Sequence, residues 1–483
     1  VSNLILIIGL NLLIKPFYIL GIETEIQNRV GAENFGSYFA LIAFSFLVNM
    51  IPDMGITNWN TRQVAKIGQL SSSSFSALIQ LRILLSILYL IVCLILGATI
   101  GYSKNELIIL AILAINQVLS LFVLFFRSFL AGLHLFKHDS ILSILDRAIL
   151  VLILGVLLWG KSDHHFQIEW LVYAQTFAYG VTFILALIWV LSRINKVEVK
   201  SQIPTAKGAF QLSVLKESLP FALMTIFGMM LYRTDGILLE RINGPVDAGH
   251  YAMGFRFFEA YNMISFLFAG LLLPIFSRMI AEKKDIAELL SLSSRQLLTA
   301  TWLVVLYCFF QPEQVMYLFY DAPSSDAIEG FKWLMVGCFM FSMQYIYGTL
   351  LTAAGHMKTL LWIVASGWAL SIVLNLIFIP KMGVEGVAKI NALTHGLILL
   401  AEILATRHFF KIALFSHFKT TALFIILSSA FAYWFFGENL RPTIISLSFT
   451  YTLAIFSAVG IFIAVITRIL DIKKFIAVMK SRD

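Results

Sequence analysis

Long apolar runs, each followed by a short polar turn, recur from one end of the chain to the other. Each run has about 20 residues, the length that an α-helix needs to cross the hydrocarbon core of a bilayer. The runs are continuous and do not alternate with period two, which excludes a transmembrane β-barrel. The pattern predicts an all-α polytopic membrane protein with fourteen spans. The predicted spans are 3–25, 36–58, 77–101, 105–131, 139–160, 167–191, 216–240, 249–277, 293–311, 331–354, 358–380, 384–409, 417–437 and 443–467.

Two short patterns repeat six spans apart and predict two lobes. Gly-x-Tyr begins at Gly36 and again at Gly249, an offset of 213 residues. Residues 131–137 (AGLHLFK) similarly match residues 354–358 (AGHMK). An offset of six spans preserves orientation, so the lobes should be parallel repeats with the substrate between them near the midplane. The predicted parts are a six-helix lobe at 1–200, a second six-helix lobe at 201–412, and two extra helices with a basic tail at 413–483.

Composition agrees with a membrane protein. Of the 483 residues, 59% are hydrophobic and 13% charged, against about 25% charged in soluble proteins. The net charge of +8 reflects Lys and Arg in loops and gives no reason to expect a nucleic acid partner. Loops on one face and the C-terminus hold 21 of these residues and the other face seven, so both termini are predicted to be cytoplasmic. The three cysteines fall in apolar runs and are predicted to be packing residues.

Charged residues within the spans carry the functional prediction. A charge at the bilayer centre costs roughly 2.5–3.5 kcal/mol on insertion scales, so such residues usually face a protein interior or a wet cavity. For any single residue, a structural ion pair explains the charge equally well. For the whole set, a charged central cavity is the better explanation. The cations are Lys15, Arg127, Arg233, Arg256 and Lys389, and the acids are Asp53, Asp235, Glu259 and Glu402.

The chemistry of these side chains indicates what the cavity would bind. Arg forks and Lys point charges recognise phosphate, so the five cations are predicted to bind an anionic headgroup. The four acids are candidates for ion pairs or for binding a coupling H⁺ or Na⁺. No metal cluster, phosphate-binding Gly-rich loop or nucleophile–base arrangement is evident. We therefore expect a non-enzyme without a cofactor.

Helical spacing places several polar side chains on shared faces. Arg256 and Glu259 are three residues apart and should partly neutralise each other. Span two is predicted to carry one polar stripe, and span twelve another. Arg82 is expected to extend from a helix end to the membrane surface. The two stripes are Ser45, Asn49, Asp53 and Thr57, and Asn391, His395 and Glu402.

Four segments carry motifs of a known family. They are Val30–Tyr38 (VGAENFGSY), Asp53-Met-Gly55 followed by Thr61-Arg62, Asp235 followed by Gly249-His-Tyr251 and Arg256, and Asn375 followed by Pro380, Gly383 and Gly386. Together they resemble elements of the polysaccharide-transporter (O-antigen flippase) family of the MOP superfamily, which also contains the lipid II flippases and the MATE drug exporters. The resemblance covers nearly the whole chain and departs from the family pattern at Lys389, where a small residue is usual.

The resemblance implies a flippase of the bacterial cytoplasmic membrane. It would move undecaprenyl-diphosphate-linked oligosaccharide, the repeat unit of O-antigen or another surface polysaccharide, by alternating access. Membrane lipids and other polysaccharide-assembly proteins are the expected partners.

Three other classes remain as alternatives. A MATE-like cation-coupled exporter of drugs or metabolites predicts an acidic cavity, which the deep cations disfavour. A membrane-embedded polymerase or ligase usually has a large external loop, whereas the longest outer loop here, 312–330, is short. A major-facilitator carrier would need a characteristic charged loop between spans two and three that residues 60–66 do not match.

Overall fold

The computed structural model describes residues 11, 13–67, 72–160, 165–193, 207–411, 418–437 and 449–470. Several sequence-based predictions concern residues outside these ranges. They include the start of span one and most of the basic linker between spans six and seven. The loop residues Lys161 and Arg441 and the basic tail after residue 470 also lie outside the described residues.

Within these ranges the chain forms helices and no strand. A π-helical turn, Tyr18–Glu23, leads into the first of them. The helices are α1 Thr24–Leu47, α2 Ile56–Ile67, α3 Ser72–Ile100, α4 Lys104–Gly132, α5 Phe136–Trp159, α6 Ile168–Leu191, α7 Lys207–Asn243, α8 Pro245–Ala281, α9 Ala287–Phe310, α10 Pro312–Phe319, α11 Ser325–Ala353, α12 Met357–Phe410, α13 Phe418–Phe436 and α14 Phe449–Ile466.

In the described part of the chain, twelve helical segments are long and apolar enough to cross a membrane. Two of them, Leu13–Leu47 and Met357–Phe410, each contain a glycine outside helical geometry. These are Gly31, with φ 79° and ψ 168°, and Gly383, with φ 51° and ψ −133°. Each glycine divides its segment where the sequence predicts two spans, so the twelve segments correspond to the fourteen spans. The all-α polytopic fold is confirmed.

Span two is shorter than predicted. Helix α1 ends at Leu47, and a non-helical stretch leads to α2 at Ile56. Pro52 disfavours helical geometry in the residue before it and lacks an N–H, and Gly55 has φ 77°. The predicted stripe from Ser45 to Thr57 therefore does not lie on one continuous helix. That prediction was wrong because it treated the apolar run as one uninterrupted element.

Contacts divide the chain into two compact units, 1–249 and 250–483. In the first, α4 packs against α6 and α2, and α1 packs against α7. In the second, α11 packs along α12 and against α9, and α9 also contacts α13. The predicted lobes, 1–200 and 201–412, are defined by the sequence repeat, which is a different property from compactness, and they stay a prediction.

The glycines that begin the two Gly-x-Tyr patterns, Gly36 in α1 and Gly249 in α8, lie where these two helices meet inside the first unit. A Cβ atom on Gly36 would lie 1.8 Å from the Pro245 carbonyl oxygen, and one on Gly249 would lie 2.0 Å from the Ala32 carbonyl oxygen. Gln27 Nε2 also donates to the Gly249 carbonyl oxygen at 2.7 Å. Both positions require glycine because backbone meets backbone without room for a side chain.

Candidate functional site

Among the described residues of the first unit, Arg82 is the most deeply buried cation. Its side chain is 0% exposed, and Nη1 donates to Asp53 Oδ1 at 2.6 Å. Nη2 donates to the Leu121 carbonyl oxygen at 2.9 Å, and the guanidinium lies 4.6 Å from the ring centroid of Phe125. The expectation that Arg82 reaches the membrane surface was wrong. Sequence reasoning missed the pair because its two partners are far apart in the chain.

Asp53 also holds the beginning of α2. Its Oδ1 accepts a hydrogen bond from the Thr57 backbone N–H at 3.3 Å and another from the Thr57 hydroxyl. A side-chain oxygen that accepts from the first free N–H groups of a helix stabilises the helix start. Asp53 lies in the non-helical stretch after α1 and thus connects the first turn of α2 to Arg82 on α3.

Two cations of the first unit, from α4 and α5, lie within electrostatic range of a third from span one. Lys15 is within electrostatic range of Arg127 and Arg147, and also of Asp146. Arg127 Nε donates to Asp139 Oδ1 at 2.6 Å, so this arginine is neutralised. No ion pair or hydrogen bond joins the Lys15 side chain to another described residue. We call Lys15, Arg127 and Arg147 the N-terminal cation cluster.

Aromatic and amide side chains support this cluster. The Arg147 guanidinium lies 4.7 Å from the ring centroid of Tyr18, where a cation and a ring face attract each other. Gln175 Nε2 donates to the hydroxyl of Tyr38 at 2.8 Å and lies 3.5 Å from that of Tyr18. Sequence reasoning did not select Arg147 or Gln175. The signal that could have indicated this region is the spacing of Lys15 and Tyr18, which are three residues apart and so share a helix face.

Arg233 and Asp235 both lie on α7. The Arg233 guanidinium is 4.7 Å from the ring centroid of Phe46 on α1, and the Asp235 side chain is buried. At the end of α7, Arg241 pairs with Glu240 and lies 4.1 Å from the ring centroid of Tyr102. Burial, followed by the nearby Glu240 carboxylate, raises the pKa of the Tyr102 hydroxyl. The predicted cations are therefore spread over several places in this unit.

The second unit contains the other predicted site residues. Arg256 Nη1 and Glu259 Oε2 form a mostly buried ion pair at 2.5 Å on α8. Lys389 Nζ lies 2.6 Å from Glu385 Oε1 and 5.3 Å from the ring centroid of Trp333, and its side chain is 37% exposed. Glu385, four residues before Lys389 on α12, is a partner that sequence reasoning missed.

Glu402 lies apart from Lys389, farther along the same helix. Its side chain is buried, and Oε2 has no hydrogen-bond partner among the described residues. Of the nine predicted site residues, Lys15 lies within electrostatic range of Arg127, and Arg256 forms an ion pair with Glu259. A single cavity that collects all nine residues stays a prediction.

The architecture is that of a multi-pass all-α membrane protein. The fold is similar to that of the lipid II flippase MurJ in an inward closed conformation, with a TM-score of 0.72 and 14% sequence identity over 96% of this chain and 98% of that one. It is also similar to an inward-facing multidrug resistance MATE transporter of the MOP superfamily, with a TM-score of 0.61 and 13% identity over 82% of this chain and 94% of that one.

The sequence itself establishes the family. Residues 1–280 match the family model described as polysaccharide biosynthesis protein, and the chain belongs to this family. A curated relative is an uncharacterized membrane protein of Methanocaldococcus jannaschii, 24% identical over 386 residues, which cover 78% of this chain and 90% of that protein. The resemblance drawn from the sequence motifs is confirmed.

Proposed function

We propose that this protein is a flippase of the bacterial cytoplasmic membrane. It carries undecaprenyl-diphosphate-linked oligosaccharide, the repeat unit of O-antigen or another surface polysaccharide, from the inner to the outer leaflet by alternating access. Membership of the polysaccharide biosynthesis family and the fold shared with a lipid II flippase support this proposal. The excess of Lys and Arg on one face supports cytoplasmic termini.

The N-terminal cation cluster is the observation that carries the proposal. Arg127 is neutralised by Asp139, and Arg147 lies against Tyr18 with its Nε 4.0 Å from Asp146 Oδ2. The Lys15 ammonium makes no ion pair with a described residue. The Lys15 ammonium lies within electrostatic range of two guanidinium groups. Both kinds of group donate charge-assisted hydrogen bonds to the oxygens of a diphosphate.

The membrane potential gives transport a direction. Moving one charge through the potential is worth about 2.3 kcal/mol per 100 mV. With the cytoplasm negative, a diphosphate that carries about two negative charges is driven outward. A proton or Na⁺ that binds an intramembrane acid would add to this drive or replace it.

A MATE-like exporter is the second candidate. The fold resembles MATE transporters, and several carboxylates are buried in the described residues. A cationic drug would need a carboxylate that is available to it, whereas Asp53 is paired with Arg82 and Glu259 with Arg256. The flippase is therefore the function that the side chains support better.

Complementation tests the flippase directly. The gene is expressed in a flippase-deficient bacterium that makes defined lipid-linked glycans, and surface polysaccharide is measured. We expect at least one glycan to be exported, and Lys15→Ala to reduce export about tenfold or more, the equivalent of one charge-assisted hydrogen bond. Lys358→Ala, which removes an exposed ammonium at the start of α12, is the matched control and should export normally. Failure with every glycan, together with drug resistance, would favour the exporter.

A further inference from the structure

Helix α12 turns a polar face toward α11 inside the second unit. Two glycines of α11 lie opposite two polar residues of α12. A Cβ atom on Gly337 would lie 2.4 Å from Asn391 Oδ1, and one on Gly348 would lie 3.5 Å from Glu402 Oε1. Both glycines and both polar residues are eleven positions apart, which is about three helical turns. The two helices therefore share one continuous line of contact, which we call the α11–α12 seam.

The middle of the seam is held by hydrogen bonds between Gln344 and His395. Gln344 Nε2 donates to the His395 carbonyl oxygen at 2.7 Å and lies 3.2 Å from His395 Nδ1. The imidazole is 4.8 Å from the ring centroid of Phe341, and its Nε2 has no hydrogen-bond partner among the described residues. These contacts hold α12 against α11 about two helical turns before Glu402.

Glu402 lies at the other end of the seam. Its side chain is 2% exposed, and no ion pair in the described chain includes it. Thr406, one turn farther on, is also buried with a hydroxyl that has no described partner. Among the described residues, Tyr347 on α11 is a titratable group within electrostatic range of Glu402. His395 lies about two turns earlier on α12, and Arg407 is exposed on the surface of α12.

An ionised carboxylate in this position would be out of contact with bulk water, and no described cation pairs with it. Burying such a charge is expensive, and a carboxyl group in an apolar site takes up a proton instead. We propose that Glu402 is a proton-binding site in the α11–α12 seam, occupied in the arrangement seen here. Opening of the seam to water would release the proton, because hydration removes the cost of the carboxylate.

This inference deepens the proposed function by adding a site for a coupling proton, yet the proton site itself does not require a particular substrate. Proton binding converts the carboxylate to a carboxyl group, and release returns the proton to water, so no other reactant is needed. The Gln344–His395 contacts lie on the same two helices, so a movement that separates α11 from α12 would alter both.

Infrared spectroscopy of the purified full-length protein tests the site. Wild type at neutral pH should show a protonated carboxyl C=O stretch that Glu402→Gln removes. The control is Glu313→Gln, at an exposed carboxylate in the first turn of α10, which should leave that band intact. Glu402→Gln keeps the shape of the neutral acid, so its melting temperature should match that of wild type. An unchanged carboxyl band in Glu402→Gln would overturn the proposal.

Transport in proteoliposomes tests the coupling separately. With a pH gradient and no potential, wild type should move lipid-linked glycan, and Glu402→Gln should lose at least tenfold in rate. Glu313→Gln, the exposed control, should keep the wild-type rate under the same pH gradient. Equal responses of wild type and Glu402→Gln to the pH gradient, or dependence on a sodium gradient instead, would overturn the coupling. If no glycan moves while the infrared band is present, the flippase fails and the proton site stands.

Discussion

Asp53 and Arg82 form an ion pair inside the first unit, and the environment of each residue depends on the other. Removing one partner of a buried pair leaves an uncompensated charge, which costs about 3–5 kcal/mol. We expect Arg82→Ala to lower the free energy of unfolding by an amount in this range, measured by thermal unfolding of the detergent-solubilised protein.

The control for this prediction is an exposed pair. Arg29 and Glu25 form a pair at 2.7 Å with side chains 37% and 29% exposed, and solvent-exposed pairs contribute about 0–1 kcal/mol. Arg29→Ala should therefore change stability little. Equal effects of Arg82→Ala and Arg29→Ala would show that Arg82 is hydrated in the membrane-embedded protein.

Arg256 and Glu259 allow binding and structure to be separated. Arg256→Ala leaves the Glu259 carboxylate buried without this partner, so protein level should fall. Arg256→Ala with Glu259→Ala removes both charges and should restore the protein level, as expected for coupled residues in a double-mutant cycle. If Arg256 binds the diphosphate, surface polysaccharide stays low in the double variant. Recovery of polysaccharide would identify a purely structural pair.

At the scale of the elements, the close contact at Gly36 and Gly249 predicts that a side chain at either position lowers stability. Gly36→Ala would place Cβ against a backbone carbonyl that cannot rotate away, so we expect a loss of about 1–3 kcal/mol of stability. Gly249→Ala should behave in the same way. Thermal unfolding measures both.

Gly180, within α6, provides the matched control. A Cβ atom there would meet nothing within 4 Å, and alanine is favoured over glycine in a helix interior by about 0.5–1 kcal/mol. Gly180→Ala should therefore be neutral or stabilising. A Gly36→Ala protein as stable as Gly180→Ala would contradict the close contact.

The sequence predicted the elements well where a local signal decides them. The turns at Gly31 and Gly383 were found because a polar, glycine-containing stretch interrupts the apolar run. The end of α1 at Leu47 was missed because the run continues through Pro52 with little change in polarity. The partner of Arg82 was missed for a different reason. The pair forms because α3 packs against the non-helical stretch between α1 and α2, and no local sequence pattern predicts that packing.

For the whole molecule, the distribution of Lys and Arg predicts an orientation that labelling can check. The native Cys93, Cys308 and Cys338 are buried, so a cysteine introduced at the surface should react selectively. Asn243→Cys, at the end of α7, should react with a membrane-impermeant thiol reagent in intact cells. Lys284→Cys, between α8 and α9, should react only after permeabilisation. The opposite result would invert the topology.

Much of the candidate site depends on how helices distant in the sequence pack together, so the sequence predicted it only in part. The free-energy cost of a charged side chain inside the membrane identified the charged residues. It does not predict which acid pairs with which cation. Lys389 was selected as a deep cation, yet it pairs with Glu385 on a partly exposed face of α12. Arg147 was not selected from the sequence, although the ring of Tyr18 from another element lies against its guanidinium.

The contact of Gly36 with Pro245 and of Gly249 with Ala32 has an evolutionary consequence. A side chain at either glycine would push the two backbone segments apart, and the other position would then no longer require glycine. The two positions should therefore be inherited as one unit. Across homologues of this chain, a residue larger than glycine at one position should occur together with a change at the other, and an alignment in which the two vary independently would contradict this.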